Sequence, residues 1–282
     1  MDLEEQMSDI IYKYGPWTAH NIEISPGLFT IKPSSSDQAY KRAQLYSTLI
    51  KTFLRRKIEG CRILDLGCLE GGISLELARN GASCVGIDVR ASHLAKADFA
   101  AKAIGVSDKC KWIEADITES DTWSNIKKFD VVICSGLLYH IDGPDLLTLL
   151  CNMQNICNES GLTIIDTNIT TKTDQTLKIT DQLTIHGTHW QEHNSSDTDQ
   201  IRLNSSWSSY KNDRAFWLTE RSLTNILVTA GYGTVFKPLY PYHEWSHQSR
   251  DIWLALPNPA NTNITPLRID PDPRPLDHPG LK

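Results

Sequence analysis

Short apolar runs and longer stretches of helical spacing alternate along most of this chain. Residues 62–66 (RILDL), 83–87, 110–113, 129–134 and 161–166 are apolar runs of strand length and read as buried strands. Between them, residues 73–78 have helical spacing and stop at Asn80-Gly81, and residues 91–103 are alanine-rich and helical. Asp142 with Pro144 marks the start of a further helix reaching about residue 157. Strands alternating with helices in this way predict a parallel sheet covered by helices on both faces, an α/β fold. A helix over residues 219–230, capped by Thr219 and ended by Gly231, leads to two last strands, 233–239 and 251–256.

Three stretches fall outside that rhythm. Residues 1–35 precede the sheet, with a helix expected over 1–13 and turns at Tyr14-Gly-Pro-Trp17 and Pro26-Gly27. Tyr14, Trp17 and His20 lie close together there, as candidate substrate contacts in a flap over an active site or as simple cover for the sheet. Ser36-Asp37 would cap a helix to about residue 57, with Ala43, Leu49, Ile50 and Phe53 among its apolar positions. Residues 167–217 are polar, with Trp190, Trp207, Tyr210 and Trp217 in or beside them, and 176–185 alternates enough for a strand or two. Long structureless loops are rare in compact domains unless functional, so an inserted substrate lid is expected. From Pro257 seven prolines fall within 26 residues, which predicts an extended or disordered tail. The expected units are a flap segment (1–35), one domain (36–256) with its lid insertion, and the tail (257–282).

The chemistry centres on residues 62–90. Strand, glycine loop, helix, strand and acid follow in about thirty residues, the size of a βαβ unit. Asp88 falls 21 residues after Gly67, where such folds place a carboxylate that grips a ribose diol. The loop Gly67–Gly72 reads G-C-L-E-G-G, so the second glycine of the dinucleotide fingerprint is Leu69. Asp65 and Glu70 would repel a pyrophosphate but suit a ligand carrying an ammonium and a sulfonium. With these residues, ILDLGCLEGG resembles the first motif of the Rossmann-like S-adenosylmethionine-dependent methyltransferases rather than that of a nucleotide-binding oxidoreductase.

The resemblance implies a seven-stranded, mostly parallel sheet whose last two strands form a hairpin, and S-adenosylmethionine as cofactor, with S-adenosylhomocysteine as its product. It implies that Gly67, Cys68, Leu69, Glu70 and Gly71 shape the loop around the amino-acid half of the donor, supported by Asp65. Asp88 and Val89 would meet the ribose, and Asp116 and Ile117 the adenine. Ser135 would lie beside the sulfonium. Asp116 also suits a plain turn or N-cap role. The resemblance covers residues 62–166 firmly and 219–256 loosely, and it omits the lid.

Composition narrows the partners. The net charge of −6 argues against non-specific nucleic-acid binding, which relies on cations neutralising phosphates. Seven cysteines without a C-x-x-C pair read as reduced core residues of a cytoplasmic protein. The acidic first residues lack a signal pattern, and no apolar stretch approaches the roughly 20 residues that span a bilayer. A small-molecule methyl acceptor is therefore expected, and the oligomeric state is open.

Methyl transfer is an in-line displacement that needs a general base only where the acceptor must lose a proton. Tyr139 and His140 leave the fourth strand towards the site, and His140 is the candidate base. It precedes a helix whose dipole favours neutral imidazole, although it could equally only position the substrate. In the lid, His186, His189 and Trp190 are candidate acceptor contacts. His186, His189 and His193 have partly metal-like spacing, but no cysteine completes a site and no metal is expected. Residues 240–245 form an aromatic-polar patch that suits stacking or ordinary packing equally. Gly-Leu-Leu-Tyr-His after the fourth strand is also similar to enzymes that modify transfer-RNA wobble uridine, a second reading. A non-catalytic donor-binding module is a third.

Overall fold

The amino-terminal residues fold before the sheet begins. The computed structural model describes residues 2–32, 38–124, 126–238 and 250–258. Helix α1 (Leu3–Tyr14) starts on a capping box, Glu5 N–H donating to Asp2 and Asp2 N–H to Glu5. A two-stranded hairpin, β1 (Glu23–Ser25) and β2 (Leu28–Phe29), turns where Pro26-Gly27 predicted it. Helix α2 (Gln38–Leu54) then buries Ala43, Tyr46 and Ile50, three positions on one helical stripe. The expected Ser36-Asp37 cap lies outside the described residues.

The sheet follows as expected. Strand β3 (Arg62–Leu66) leads to α3 (Gly72–Arg79), β4 (Ser83–Asp88), α4 (Ala91–Ala103) and β5 (Cys110–Glu114). Strand β6 (Phe129–Ser135), helix α5 (Gly143–Ile156) and β7 (Cys157–Asn168) come next. Strand β7 begins well before the run at 161–166, and its pairing with β6 shifts register near its start.

The insertion is more ordered than its polarity suggested. It holds β8 (Gln175–Lys178), β9 (Thr184–Gln191) and β10 (Arg214–Leu218), paired antiparallel in the order β10-β9-β8, with α6 (Asp199–Asn204) between β9 and β10. The alternating stretch at 176–185 is two strands, and β10 is one that sequence reading missed. Helix α7 (Glu220–Thr229) is capped by Thr219 as expected, and β11 (Tyr232–Phe236) pairs antiparallel with β12 (Arg250–Pro257). The Pro-rich stretch from residue 259 and the patch at 240–245 lie outside the described residues.

The main sheet runs β11-β12-β7-β6-β3-β4-β5, parallel except at β12 and β11. Successive side chains of a strand point to opposite faces. Ile63, Val131, Ile133 and Ile164 accordingly pack with α2, α3 and α4, while Leu64, Leu66, Val132 and Ile165 pack with α5, α7 and the insertion sheet. Burial on both faces explains why the strands read as continuous apolar runs. The order in which strands are laid down reverses between β3 and β6, and at such a switch point ligands bind beyond the carboxyl ends of the strands. A cleft opens there.

Candidate active site

The cleft encloses about 1210 Å³ of open space, its solvent mouth included. At one end lies the glycine loop. Gly71 is the N-cap of α3 with φ +76°, and a Cβ there would sit 2.7 Å from the Trp112 ring. Leu69 also adopts a left-handed conformation, φ +48°, where the dinucleotide fingerprint would have glycine. Its N–H donates to Asp88 Oδ2 at 2.9 Å, which holds the loop against the end of β4.

Asp88 is buried, and its Oδ1 accepts from the Arg90 N–H at 2.9 Å and lies 3.2 Å from His93 Nδ1. A carboxylate has about four acceptor sites, so Oδ2 keeps one for a ligand hydroxyl. Asp65 is also buried and accepts from Ser74 Oγ at 2.7 Å. Burial, opposed by that hydrogen bond and reinforced by the Asp88 charge, pushes its carboxyl up to about 7. Cys68, Val89 and Ile117 line the same end, as do Gly67 and Leu69.

Several expected contacts lie elsewhere. Glu70 is fully buried and turned away from the cleft: it accepts the N–H groups of Thr18, Ala19 and His20 at 2.8–2.9 Å and pairs with Lys96 at 3.3 Å. Its work is to fasten the amino-terminal segment to the loop. Neither Glu70 nor Gly71 lines the cleft. Trp17 packs on Phe99 in the core, and Tyr14 is likewise absent from the lining, so of the three flap residues only His20 reaches the cleft. Asp116 lines it, but Oδ1 already accepts from the Thr118 N–H and hydroxyl and Oδ2 pairs with Lys211 at 3.0 Å. The turn role read for Asp116 is therefore present, and an adenine amino group would share Oδ2 with that lysine.

The lid histidines do not converge either. His186 bonds Thr176, His189 stacks edge-on against Phe216, and His193 bonds the Ser209 carbonyl beside Asp197. Trp190 is half exposed and stacks on Trp217. None of His186, His189 and Trp190 lines the cleft, because β9 carries them along the insertion sheet.

The other end of the cleft is assembled from distant parts of the chain. His140 sits in the turn before α5, whose cap is Asp142, and its Nδ1 lies 2.8 Å from Glu192 Oε1 at the end of β9. Glu192 is buried, and its other oxygen accepts from the Ser209 N–H at 2.9 Å. In neutral His140 the proton then sits on Nδ1, facing the carboxylate, and Nε2 is left as an acceptor at the cleft. The Tyr139 ring lies 4.3 Å from His140 and 5.7 Å from the Arg250 guanidinium.

Beneath them Asp166 holds Arg250 at 2.5 Å and Arg42 at 3.2 Å, and Tyr46 bridges Asp166 and Ser135. The insertion also reaches the first end. Arg90 is buried and donates to four backbone carbonyls, those of Arg202, Leu203, Ser205 and Ser208, at 2.9–3.1 Å.

Residues 63–161 match a family model described as a methyltransferase domain. Residues 63–161 of this chain are a methyltransferase domain. The methyltransferase domain is similar to the ubiquinone biosynthesis O-methyltransferase of Actinobacillus pleuropneumoniae serotype 5b, 29% identical over 133 residues, which are 46% of this chain and 56% of that protein. It is 35% identical over 98 residues to the protein of that name from Hahella chejuensis, covering 34% of this chain and 40% of the other. The chain thus spans about half the length of the curated relatives it matches. Among solved structures, the N-terminal domain of EvdMO1, crystallised in the presence of SAH and D-fucose, aligns with TM-score 0.68 at 22% identity over 91% of this chain and 97% of that one. The glycopeptide N-methyltransferase MtfA complexed with S-adenosylmethionine aligns with TM-score 0.54 at 13% identity, over 80% and 96%. These two likenesses are of fold.

The residues present fit the cofactor of this family. A half-open Asp88 suits a ribose diol, a buried Asp65 suits an ammonium, and Val89 and Ile117 offer apolar walls for a base. No helix among the described residues is long and apolar enough to cross a membrane.

Proposed function

We propose that this chain transfers a methyl group from S-adenosylmethionine to a hydroxyl oxygen of a small organic molecule. The observation that carries the choice of oxygen is the His140–Glu192 pair at the cleft, 2.8 Å apart. An amine can attack a sulfonium from its neutral form, whereas a hydroxyl gains from losing its proton during attack, a task for a positioned base.

When bound, the cofactor supplies an already activated methyl on a positively charged sulfur. Asp88 takes a ribose hydroxyl, Asp65 faces the ammonium, and Ser135 lies beside the sulfonium. His140 Nε2 accepts the acceptor's proton as the oxygen–carbon bond forms and the carbon–sulfur bond breaks, its electron pair going to sulfur. Glu192 holds the imidazole in the accepting tautomer and stabilises the imidazolium that results. Tyr139 walls the acceptor side, and closure by the insertion excludes water.

The names of the relatives support oxygen as the acceptor atom, and the D-fucose present with one fold neighbour makes hydroxylated sugars a first class to try beside phenols. The experiment is a transfer assay with methyl-labelled donor against both classes. With an accepted substrate, His140→Ala is expected to lower kcat about 10²–10⁴-fold. Near-normal turnover by that variant would remove the base from the mechanism.

A further inference from the structure

His20 is the one residue of the amino-terminal segment that reaches the cleft among those singled out there, and no acceptor contact explains its setting. Three backbone N–H groups around it are fastened to Glu70, and its own Nδ1 accepts the Gly72 N–H at 2.9 Å. A nitrogen that accepts carries no proton, so the proton of the neutral ring is on Nε2. Burial, against the pull of Glu70, holds the imidazole well below its ordinary range, at about 4, so this neutral form persists at working pH. Nε2 has no hydrogen-bond partner among the described residues, although His20 is 92% buried and lines the cleft. An N–H that the protein leaves unpartnered at a ligand cleft is free to donate to a bound acceptor there.

The surroundings say which acceptor. Gly72 opens α3, and a Cβ on it would meet the His20 ring at 2.8 Å and Ala39 of α2 at 2.9 Å, so ring, helix start and α2 touch. The first amides of α3 have no partner within the helix, and of these Gly72 N–H is taken by His20. Ile73, next in line, borders the cleft, as does Arg42 one turn beyond Ala39. The start of α3 and the His20 N–H lie side by side, the Arg42 guanidinium, paired with Asp166, borders the same cleft, and together they suit an anion. Next to Asp65 and the glycine loop, the anionic group within reach is the carboxylate of the donor's amino-acid part.

We propose that His20 is a donor-specificity residue, donating from Nε2 to the α-carboxylate of the methyl donor, so that the amino-terminal segment completes the donor site. The proposal rests on the donor reading above. It reassigns His20 from acceptor to donor and makes the site discriminate against donor analogues that lack the amino-acid carboxylate.

The test is calorimetric titration of the full chain with S-adenosylhomocysteine and with 5′-methylthioadenosine, which keeps the adenosine thioether and lacks the amino acid. His20→Asn retains an acceptor for the Gly72 amide but cannot reach where Nε2 lies, and His20→Ala loses both functions. His20→Asn is expected to weaken S-adenosylhomocysteine about 10- to 100-fold, the range for a hydrogen bond to a charged group, and to leave 5′-methylthioadenosine within about twofold. Equal weakening of both ligands would reduce His20 to a support of the loop and overturn the proposal. Unchanged binding of both, with a raised acceptor KM, would return His20 to the acceptor and overturn it as well. Wild-type protein that binds neither ligand would overturn the donor reading itself.

Discussion

The two ends of the cleft are built in different ways. The donor end comes mostly from one stretch of chain, Asp65 to Ile117, with His20 and Ser135 added from outside it, and a key hydrogen bond, Leu69 N–H to Asp88, joins residues about twenty apart. The acceptor end joins His140 to Glu192 across 52 residues, Asp166 to Arg250 across 84 and Tyr46 to Asp166 across 120. The first is a property of a βαβ unit and travels with it. The second exists only when α2, the insertion and β12 are all in place around the sheet. Cofactor chemistry is therefore largely local in this fold, and acceptor chemistry depends on the assembled whole.

Substitutions can break that division, beginning with the largest effect. Beyond the loss at His140 already described, Glu192→Gln is expected to lower kcat about 10- to 100-fold while leaving S-adenosylhomocysteine affinity unchanged, because the amide keeps the shape but not the charge facing Nδ1. Steady-state kinetics beside a binding titration would show the split. Asp88→Asn is expected to do the reverse, weakening S-adenosylhomocysteine by about tenfold or more, since its buried carboxylate serves Leu69, Arg90 and a ribose hydroxyl at once. Equal effects of these two variants on donor binding would erase the distinction.

Arg90→Met sharpens it, because Arg90 is where the ends meet. Removing the guanidinium strips a partner from four carbonyls of the insertion and is expected to cost about 2–4 kcal/mol of unfolding free energy by denaturant titration. Limited proteolysis should then cut first within residues 199–213. If stability and cleavage stay as in the wild type, the insertion does not lean on the donor end.

The smallest effect is one of pH. The Asp65 carboxyl is raised to about 7 in the folded protein from an ordinary 3.8, so the folded chain binds more protons than the unfolded one between those values. Its contribution to stability is accordingly present at low pH and lost as pH rises through about 7. Donor binding runs the other way: an ammonium favours the ionised carboxyl, so S-adenosylhomocysteine affinity should fall as pH drops from 8 to 6, by up to about tenfold per pH unit below 7. Asp65→Asn should flatten that profile. His20 adds a stability contribution of opposite sign to that of Asp65: with its imidazole lowered from 6.5 to about 4, stability is present above 6.5 and lost as pH falls towards 4.

The same division decides what could be read from the sequence. Strand runs buried on both faces, the glycine loop and the spacing to Asp88 depend on neighbours within thirty residues, and all three are visible in the chain. Glu70 was placed in the right loop but on the wrong side, because only the fold shows the amino-terminal N–H groups that capture it. His140 stood out beside a helix start. Its partner Glu192 did not, since a lone acid in a polar insertion carries no periodicity and no motif. Arg42, Arg90 and Arg250 were hidden for the same reason, their partners being backbone carbonyls of the insertion or an acid on another strand. Strand β10 was masked by the polar residues before it, although Ala215, Phe216 and Leu218 are buried.

The most direct measurement is a calorimetric titration of S-adenosylhomocysteine into wild-type protein, Asp88→Asn, His140→Ala and Glu192→Gln, with NAD as the control ligand. One-to-one micromolar binding is expected for wild type, weakened in Asp88→Asn and retained in the two acceptor-end variants, with no binding of NAD. Binding of NAD in its place, or loss of S-adenosylhomocysteine in His140→Ala and Glu192→Gln as severe as in Asp88→Asn, would contradict a cleft with a donor end and a separate acceptor end.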